Sequence, residues 1–259
     1  MKTNIISLFI IALLSVSILL AQGTPDALQI IENVYRRAAP EDQQAELQMT
    51  LINSRGEERT RQIQQYLKAY NDMDKKIMFF KFPADVRNTA FMNWSYDDES
   101  KDDDQWIYLP ALQKVKRISS DSKSDYFMGS DFTYDDLGER HPGEDTHRII
   151  AEETINGEEC YVVESIPVDE DYMYSRTVTW IIKDKWIGLK KEFYDKDEEL
   201  LKILTVKEYQ NISGYWIVLN TEMHNVQKDH LTRIKLSNLV IDSGISDTQF
   251  TERMMRRGL

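Results

Sequence analysis

Of the 259 residues, one is cysteine, 10 are glycine, 6 are proline and 4 are histidine. A single cysteine, Cys160, has no intrachain partner, which excludes a disulfide-stapled scaffold. So few Gly and Pro leave little room for low-complexity linkers. Positive charge is short as well: 32 Lys+Arg stand against 44 Asp+Glu, a net charge of −12. A chain this acidic is repelled by phosphates, so no nucleic acid is expected as a partner. There is no Gly-x-x-x-x-Gly-Lys phosphate loop, no dinucleotide glycine pattern and no Gly-x-Ser-x-Gly elbow. What the chain does have is apolar residues, 41% of the total and spread along nearly its whole length, which excludes a disordered polymer. Its size allows one large domain or two small ones.

The first charged residue after Lys2 is Asp26, and Ile5 to Leu20 is an unbroken run of Ile, Leu, Val, Phe, Ala and Ser. A charged start, this run and Ala21-Gln22-Gly23 read as a secretory signal peptide over residues 1–23, cleaved after Gly23 or Ala21. At 16 residues the run falls short of the ~20 that span a bilayer, which weighs against an uncleaved anchor. No cysteine stands near the cleavage site to be lipidated. The expectation is an exported periplasmic protein that loses Lys2 and so carries a charge of −13.

Thr24-Pro25-Asp26 is a helix start, and Leu28, Ile31, Val34, Tyr35 and Ala38 then recur at helical spacing, predicting an amphipathic helix over 25–39 that Pro40 stops. Past Pro40 the period becomes two: Ala45, Leu47, Met49 and Leu51 alternate with polar residues. Strand-like stretches follow at 58–70, 75–82, 89–96, 106–109 and 114–119. In the second half they recur at 147–155, 159–166, 176–183, 187–194, 200–209, 215–223 and 231–241, separated by short polar turns. Asn156-Gly157 is the strongest hairpin signal among them. A last helix is expected over 247–257, capped by Ser246, with Phe250 and Met254 on its apolar side. Successive strands with tight turns predict an antiparallel meander. A sheet of ten or more strands must curl and bury its concave face. The fold class is therefore mainly β with α (α+β), in one domain over 24–259.

Chemistry-bearing patterns are few. Cys160 stands in the apolar stretch Cys160-Tyr161-Val162-Val163 and reads as a small core residue. His141, His147, His224 and His230 have no tight metal-ligand spacing and are expected on the surface or in turns. The run Asp97-Asp98-Glu99-Ser100-Lys101-Asp102-Asp103-Asp104 offers oxygens to Ca²⁺ but lacks the glycine and terminal glutamate of a calcium-binding helix-loop-helix, so a solvated loop is the stronger reading. Carboxylates are plentiful, yet nothing selects a catalytic pair. No enzyme, resident metal or cofactor is implied.

Two motifs stand out: Trp106-Ile-Tyr-Leu-Pro-Ala-Leu-Gln-Lys-Val-Lys-Arg-Ile-Ser119 and Phe127-Met-Gly-Ser-Asp-Phe-Thr-Tyr-Asp-Asp-Leu137. Together they resemble the outer-membrane lipoprotein-sorting protein family, the LolA-like superfamily, in its longer branch. The order of leader, helix and meander agrees, so the resemblance extends over residues 25–259. It implies a strongly curved antiparallel sheet forming an incomplete barrel (LolA/LolB-like), covered by an N-terminal helix and short helices. It also implies an apolar cavity between them for the acyl chains of a lipoprotein or lipid. Members are periplasmic and noncatalytic, with an inner-membrane transporter or an outer-membrane acceptor as partner; a monomer is expected. Gln113 departs from the basic residue found there in many relatives, although Lys114, Lys116 and Arg117 remain.

On this reading the cavity candidates are Ile31, Val34, Leu47, Met49, Phe79, Trp106, Tyr108, Phe127, Met128, Phe132 and Trp180. Leu109, Pro110, Gly129, Ser130, Asp131, Tyr134 and Leu137 are motif residues with structural roles: Gly129 permits a turn and Ser130 or Asp131 caps one. For Phe127, Met128 and Phe132, cavity lining and core packing stay open alternatives. Several strands are apolar on both faces, as in Lys76–Phe82 and Tyr215–Leu219, so a second face needs helices, a partner protein or lipid to cover it. At ~0.8 kcal/mol per buried methylene, ten methylenes gain about 8 kcal/mol gross, so a carrier that releases its cargo needs a movable lid. The N-terminal helix and the Asp121–Asp136 loop are the lid candidates. The other function open to such a chain is an envelope interaction module that docks a partner protein on its apolar sheet face.

Overall fold

A computed structural model describes residues 25–259; the expected signal peptide lies outside the described residues. The chain begins with α1 (Ala27–Tyr35). Its cap is Asp26, whose carboxylate accepts from the Gln29 amide at 2.8 Å, two residues later than the Thr24 start expected from sequence. The helix also ends earlier than expected, at the Arg36 cap, where the Arg36 amide donates to the Glu32 carbonyl and the Arg37 amide to Val34 in a tightened last turn.

Thirteen strands follow. The first six are β1 (Asp42–Ile52), β2 (Glu58–Ala69), β3 (Met73–Phe82), β4 (Ala90–Tyr96), β5 (Asp104–Leu109) and β6 (Lys114–Arg117). The other seven are β7 (Asp145–Ile155), β8 (Glu158–Pro167), β9 (Arg176–Ile182), β10 (Gly188–Tyr194), β11 (Leu200–Ile212), β12 (Tyr215–Asn225) and β13 (His230–Ile241). All belong to one antiparallel sheet in the order β6-β5-β4-β3-β2-β1-β13-β12-β11-β10-β9-β8-β7. Two meanders are therefore joined by a single seam, with β1 paired to β13 from Gln43–Ile241 to Ile52–Leu231. The seam is clamped at one end by the Asp42 carboxylate, which accepts from the amides of Ser243, Gly244 and Ile245 at 2.8–3.0 Å. Asn156 and Gly157 both take positive φ, +54° and +86°, the geometry of the tight turn their sequence predicts between β7 and β8.

The connection from β6 to β7, residues 118–144, must return from one free edge of the sheet to the other. It runs across the inner face, and the sheet curls around it. One cluster consequently holds Met49 of β1, Phe80 of β3, Phe91 of β4, Phe193 of β10, Met223 of β12 and Phe127 of the crossover. The outer face of β3–β6 is covered from the C-terminus, where Phe250 and Met255 pack on Ile77, Phe79, Ala90 and Met92. The expected last helix is split: Ser246 caps a 3-10 turn at Asp247–Gln249, and Thr251 caps α2 (Glu252–Arg257). The split brings Met255, rather than Met254, into the deep position. Among the described residues no helix is long and apolar enough to cross a membrane.

Candidate functional site: the plugged inner face

Alternation decides which side chains meet the crossover. Leu47 and Met49 of β1 stand opposite Leu236 and Ile234 of β13 and opposite Ile63 and Arg61 of β2. The same face continues through Phe80 and Met78 of β3 to Phe91 and Ile107. On the other side of the seam it continues through Thr232, Met223, Leu204 and Lys191. This surface is apolar in its middle and polar at both ends.

The crossover fills the apolar middle. Phe127 is fully buried, its ring 5.1 Å from that of Phe91, 5.5 Å from Tyr134 and 5.8 Å from Phe80. Phe132 and Leu137 are buried beside it. A turn at Met128 (φ +51°) and Gly129 (φ +74°) lets the chain reverse between the two phenylalanines. Nothing lies within 4 Å of where a Gly129 Cβ would stand, so the positive φ, rather than crowding, is what favours glycine there. The Ser130 hydroxyl closes the turn by donating to the Phe127 carbonyl at 2.7 Å.

Polar side chains fasten this plug on both flanks. The Asp131 amide donates to Thr232 Oγ1 at 2.9 Å, and Asp131 Oδ2 accepts from the Thr232 hydroxyl and lies 2.7 Å from His230 Nδ1. Lys202 of β11, with no exposed surface, donates to Asp136 Oδ2 at 2.5 Å and to the Asp131 carbonyl at 3.2 Å. Asp136 also accepts from the Tyr174 hydroxyl and the Thr133 amide, and Asp135 accepts from the Tyr172 hydroxyl. On the β2–β5 side, Arg61 donates to the Met128 carbonyl, Lys76 to Leu137 and Gln105 to Tyr134. Burial pushes the Lys202 ammonium down from the usual lysine range, and the Asp136 carboxylate opposes that shift.

The sequence candidates separate into groups. Leu47, Met49, Phe127 and Phe132 meet in the inner cluster, with Met128 and Tyr134 at its margin and Leu137 within it. Ile31 and Val34 lie on α1 against Tyr161, Val163 and Ile181, a cluster of its own. Phe79, Trp106 and Tyr108 face outward, toward the C-terminal segment. Trp180 is also on the outer face, beside Cys160 and Val162, with its Nε1 donating to Glu153 at 2.8 Å. β3 and β5 are apolar on both faces, so composition could not choose the side there; in β9 Trp180 shares its face with Val178 and Ile182. Leu109 ends β5, Pro110 opens a 3-10 turn and Gln113 closes it at φ +50°, so the first motif is the β5–β6 hairpin.

The histidine expectation holds only in part. His141 opens the Pro142–Glu144 turn as expected but is buried there, its Nε2 2.7 Å from the Tyr96 carbonyl and its ring tilted against Tyr35, and His147 and His230 are half-buried with side-chain partners. Cys160 is buried as expected, and burial raises its thiol. Lys202, Tyr172, Tyr174 and Thr232 were not singled out from sequence. The one signal was a lysine set within the apolar run Leu200–Leu204. The remaining inner space is limited: a cavity of about 280 Å³ lies between Phe132, Tyr174, Phe193, Leu204, Met223 and the Asp135–Asp136 pair. A larger cleft of about 790 Å³, lined mostly by charged residues, opens at the end of the sheet beside the acidic run. Among the described residues, no group of three or more His, Cys, Asp or Glu is placed to hold a metal ion.

A family model described only as that of an uncharacterized protein matches residues 72–257. A DUF1329 family protein from Desulfovibrio piger is 31% identical, with a TM-score of 0.83 over 88% of this chain and 97% of its own. A domain assigned to outer membrane lipoprotein sorting, from Vibrio parahaemolyticus, is 35% identical, with a TM-score of 0.83 over 89% of this chain and 98% of its own. A LolA superfamily protein from Nitrosomonas europaea shares the fold at 19% identity, with a TM-score of 0.68 over 89% of this chain and all of its own. No curated protein matches the chain. The motifs at Trp106–Ser119 and Phe127–Leu137, the curved open sheet and these relatives agree: the chain has the fold of the LolA superfamily protein and belongs to the family of its two relatives above 30% identity, the DUF1329 outer-membrane lipoprotein-sorting protein family.

Proposed function

We propose that the protein is a noncatalytic periplasmic carrier, acting as a monomer, that takes the acyl chains of a lipoprotein or lipid onto its inner face when the crossover moves aside. The observation that carries this reading is the nature of the plug. The apolar middle of the inner face is covered by an irregular segment fastened on its flanks by polar side chains, while α1 packs only farther along that face, on Tyr161, Val163 and Ile181. Phe127, Met128 and Phe132 then occupy the space that acyl methylenes take, and the exchange replaces one apolar contact with another. This keeps the net free energy of loading small against the ~0.8 kcal/mol per methylene of full burial, so cargo can also leave. Leu47 and Met49 line the seat. Ile31, Val34, Phe79, Trp106, Tyr108 and Trp180 support the sheet from elsewhere.

The test is mass spectrometry of the protein purified from membrane-containing cells, with displacement of a fluorescent fatty acid as a second readout. Co-purifying acyl lipid and saturable displacement are expected. Absence of both refutes the carrier. Phe127→Asp is expected to change uptake, and a folded variant with unchanged uptake removes Phe127 from the path.

A second reading, docking of a partner protein such as a transporter, draws on exposed Leu28 of α1, Ile150 of the edge strand β7, and Ile166 and Val168 at the end of β8. A complex from envelope extract that survives bulky substitution at Leu47 and Met49 favours docking over carriage.

A further inference from the structure

The inner face changes character toward the end of the sheet where Asp103 leads into β5. Lys76, Asn93 and Gln105 form one row across β3, β4 and β5, and Asp74 and Ser95 form the next. Asn93 and Gln105 are 2% and 1% exposed, yet Asn93 Oδ1 and Gln105 Oε1 have no hydrogen-bond partner, and neither has the hydroxyl of Tyr35 above them. The amide orientations are fixed by their other ends. Gln105 Nε2 donates to the Tyr134 carbonyl at 2.8 Å, and Asn93 Nδ2 donates to Ser95 Oγ and Asp103 Oδ2. Turning either amide would set oxygen against an acceptor. Asp103 takes all three of its bonds, from Asn93, Ser95 and the Glu139 amide, on Oδ2. The unmet buried groups of Asn93 and Gln105 are therefore acceptors, and what they lack is a donor.

Gln105, Asp103 and Glu139 line the 790 Å³ cleft, where Glu99, Asp102, Asp121 and Asp135 add further carboxylates against Lys101, Lys123 and Arg140. Burial first, and then the Asp74 and Asp103 carboxylates opposed by Lys76 and His141, raise Glu139 to about 7. Lys76 is already engaged with the Leu137 carbonyl.

We infer that this cleft is a binding site for a primary ammonium group, held by Gln105 Oε1, Asp103 and Glu139. An ammonium carries three donors and no acceptor, which matches what the site lacks, and an anion or a neutral acceptor does not. The cleft opens at the polar end of the inner face, beyond the acyl seat, although Gln105 also fastens the crossover and Glu139 belongs to it. The ammonium can come from a free polyamine or from a lysine side chain of a peptide, and two probes distinguish these sources.

The experiment is calorimetric titration of the full mature protein at 150 mM NaCl with spermidine and, separately, with the tripeptide acetyl-Gly-Lys-Gly-amide. Saturable one-to-one binding of either probe, weakened at least tenfold by Gln105→Leu or by Glu139→Gln at the cleft rim, supports the inference. The better-bound probe names the source. Glu57→Gln, on the exposed β1–β2 turn, is the charge-matched control and is expected to leave binding unchanged. No saturable heat with either probe leaves water as the partner of these atoms and overturns the inference. So does a loss that Glu57→Gln reproduces, which marks diffuse attraction to an acidic protein, or stoichiometric displacement of spermidine by Ca²⁺.

Discussion

Lys202→Met is the sharpest test of how the crossover is held. Lys202 is completely buried between the rings of Tyr174 and Phe193, 5.1 and 5.0 Å away, and donates to Asp136 and to the Asp131 carbonyl. Methionine keeps the stem's volume but removes the charge. It leaves the Asp136 carboxylate, whose side chain is only 6% exposed, with neutral donors alone. Breaking a buried pair in this way costs about 3–5 kcal/mol. For a chain of this size 1 kcal/mol is worth roughly 2–4 °C, so the melting temperature should fall by roughly 6–20 °C. Urea titration followed by tryptophan fluorescence gives the free energy directly. Lys183→Met, at the more exposed Lys183–Glu152 pair, should lose far less. Lys202→Met with Asp136→Asn should recover part of the loss, because the stranded charge is gone. A loss at Lys202 no larger than at Lys183 refutes the latch.

Other outcomes follow from the same coordinates. Glu139 ionises less readily in the folded chain than in the unfolded one, so its charge penalises folding progressively as pH rises from the ordinary glutamate value through about 7. Glu139→Gln should therefore gain stability over the wild type in melts at pH 8 and little at pH 5; an equal gap at both pH values contradicts the assignment. Gly157→Ala places an L side chain at φ +86° and should cost roughly 1–2 kcal/mol in denaturant titration, despite open space around the site. Cys160, buried and with its thiol raised, should react with a thiol reagent only after urea unfolds the chain.

Much of the sheet was legible because strand periodicity and turn chemistry are local signals. The Asn156-Gly157 hairpin and the alternation of Ala45, Leu47, Met49 and Leu51 are examples, and both hold in the structure. The faces were harder. Phe79 and Phe80 are adjacent and equally apolar, but one faces the C-terminal segment and the other the crossover. Only knowledge of what covers each side separates them. The fastenings of the plug were hidden for a different reason: Asp131 and Thr232 are about a hundred residues apart and meet only once the sheet has curled. The acidic run is exposed from Asp97 to Asp102, as a solvated loop should be, but its far end was harder to read: Asp103 reaches into a buried amide network.

The seam between β1 and β13 also governs when the molecule can finish folding. Every other strand pair joins neighbours in the chain, but this one pairs residues 43–52 with residues 231–241. A chain delivered N-terminus first can build the β1–β6 meander early, yet the free backbone of β1 waits for nearly the last residues to arrive. Loop closure over that distance makes the step slow relative to the local hairpins. During the wait, one long unpaired edge and an apolar face are presented to the surroundings, which are hallmarks of an aggregation-prone intermediate. Any shortening that removes β13 makes that interval permanent, so the integrity of the far C-terminus determines whether the N-terminal half stays soluble.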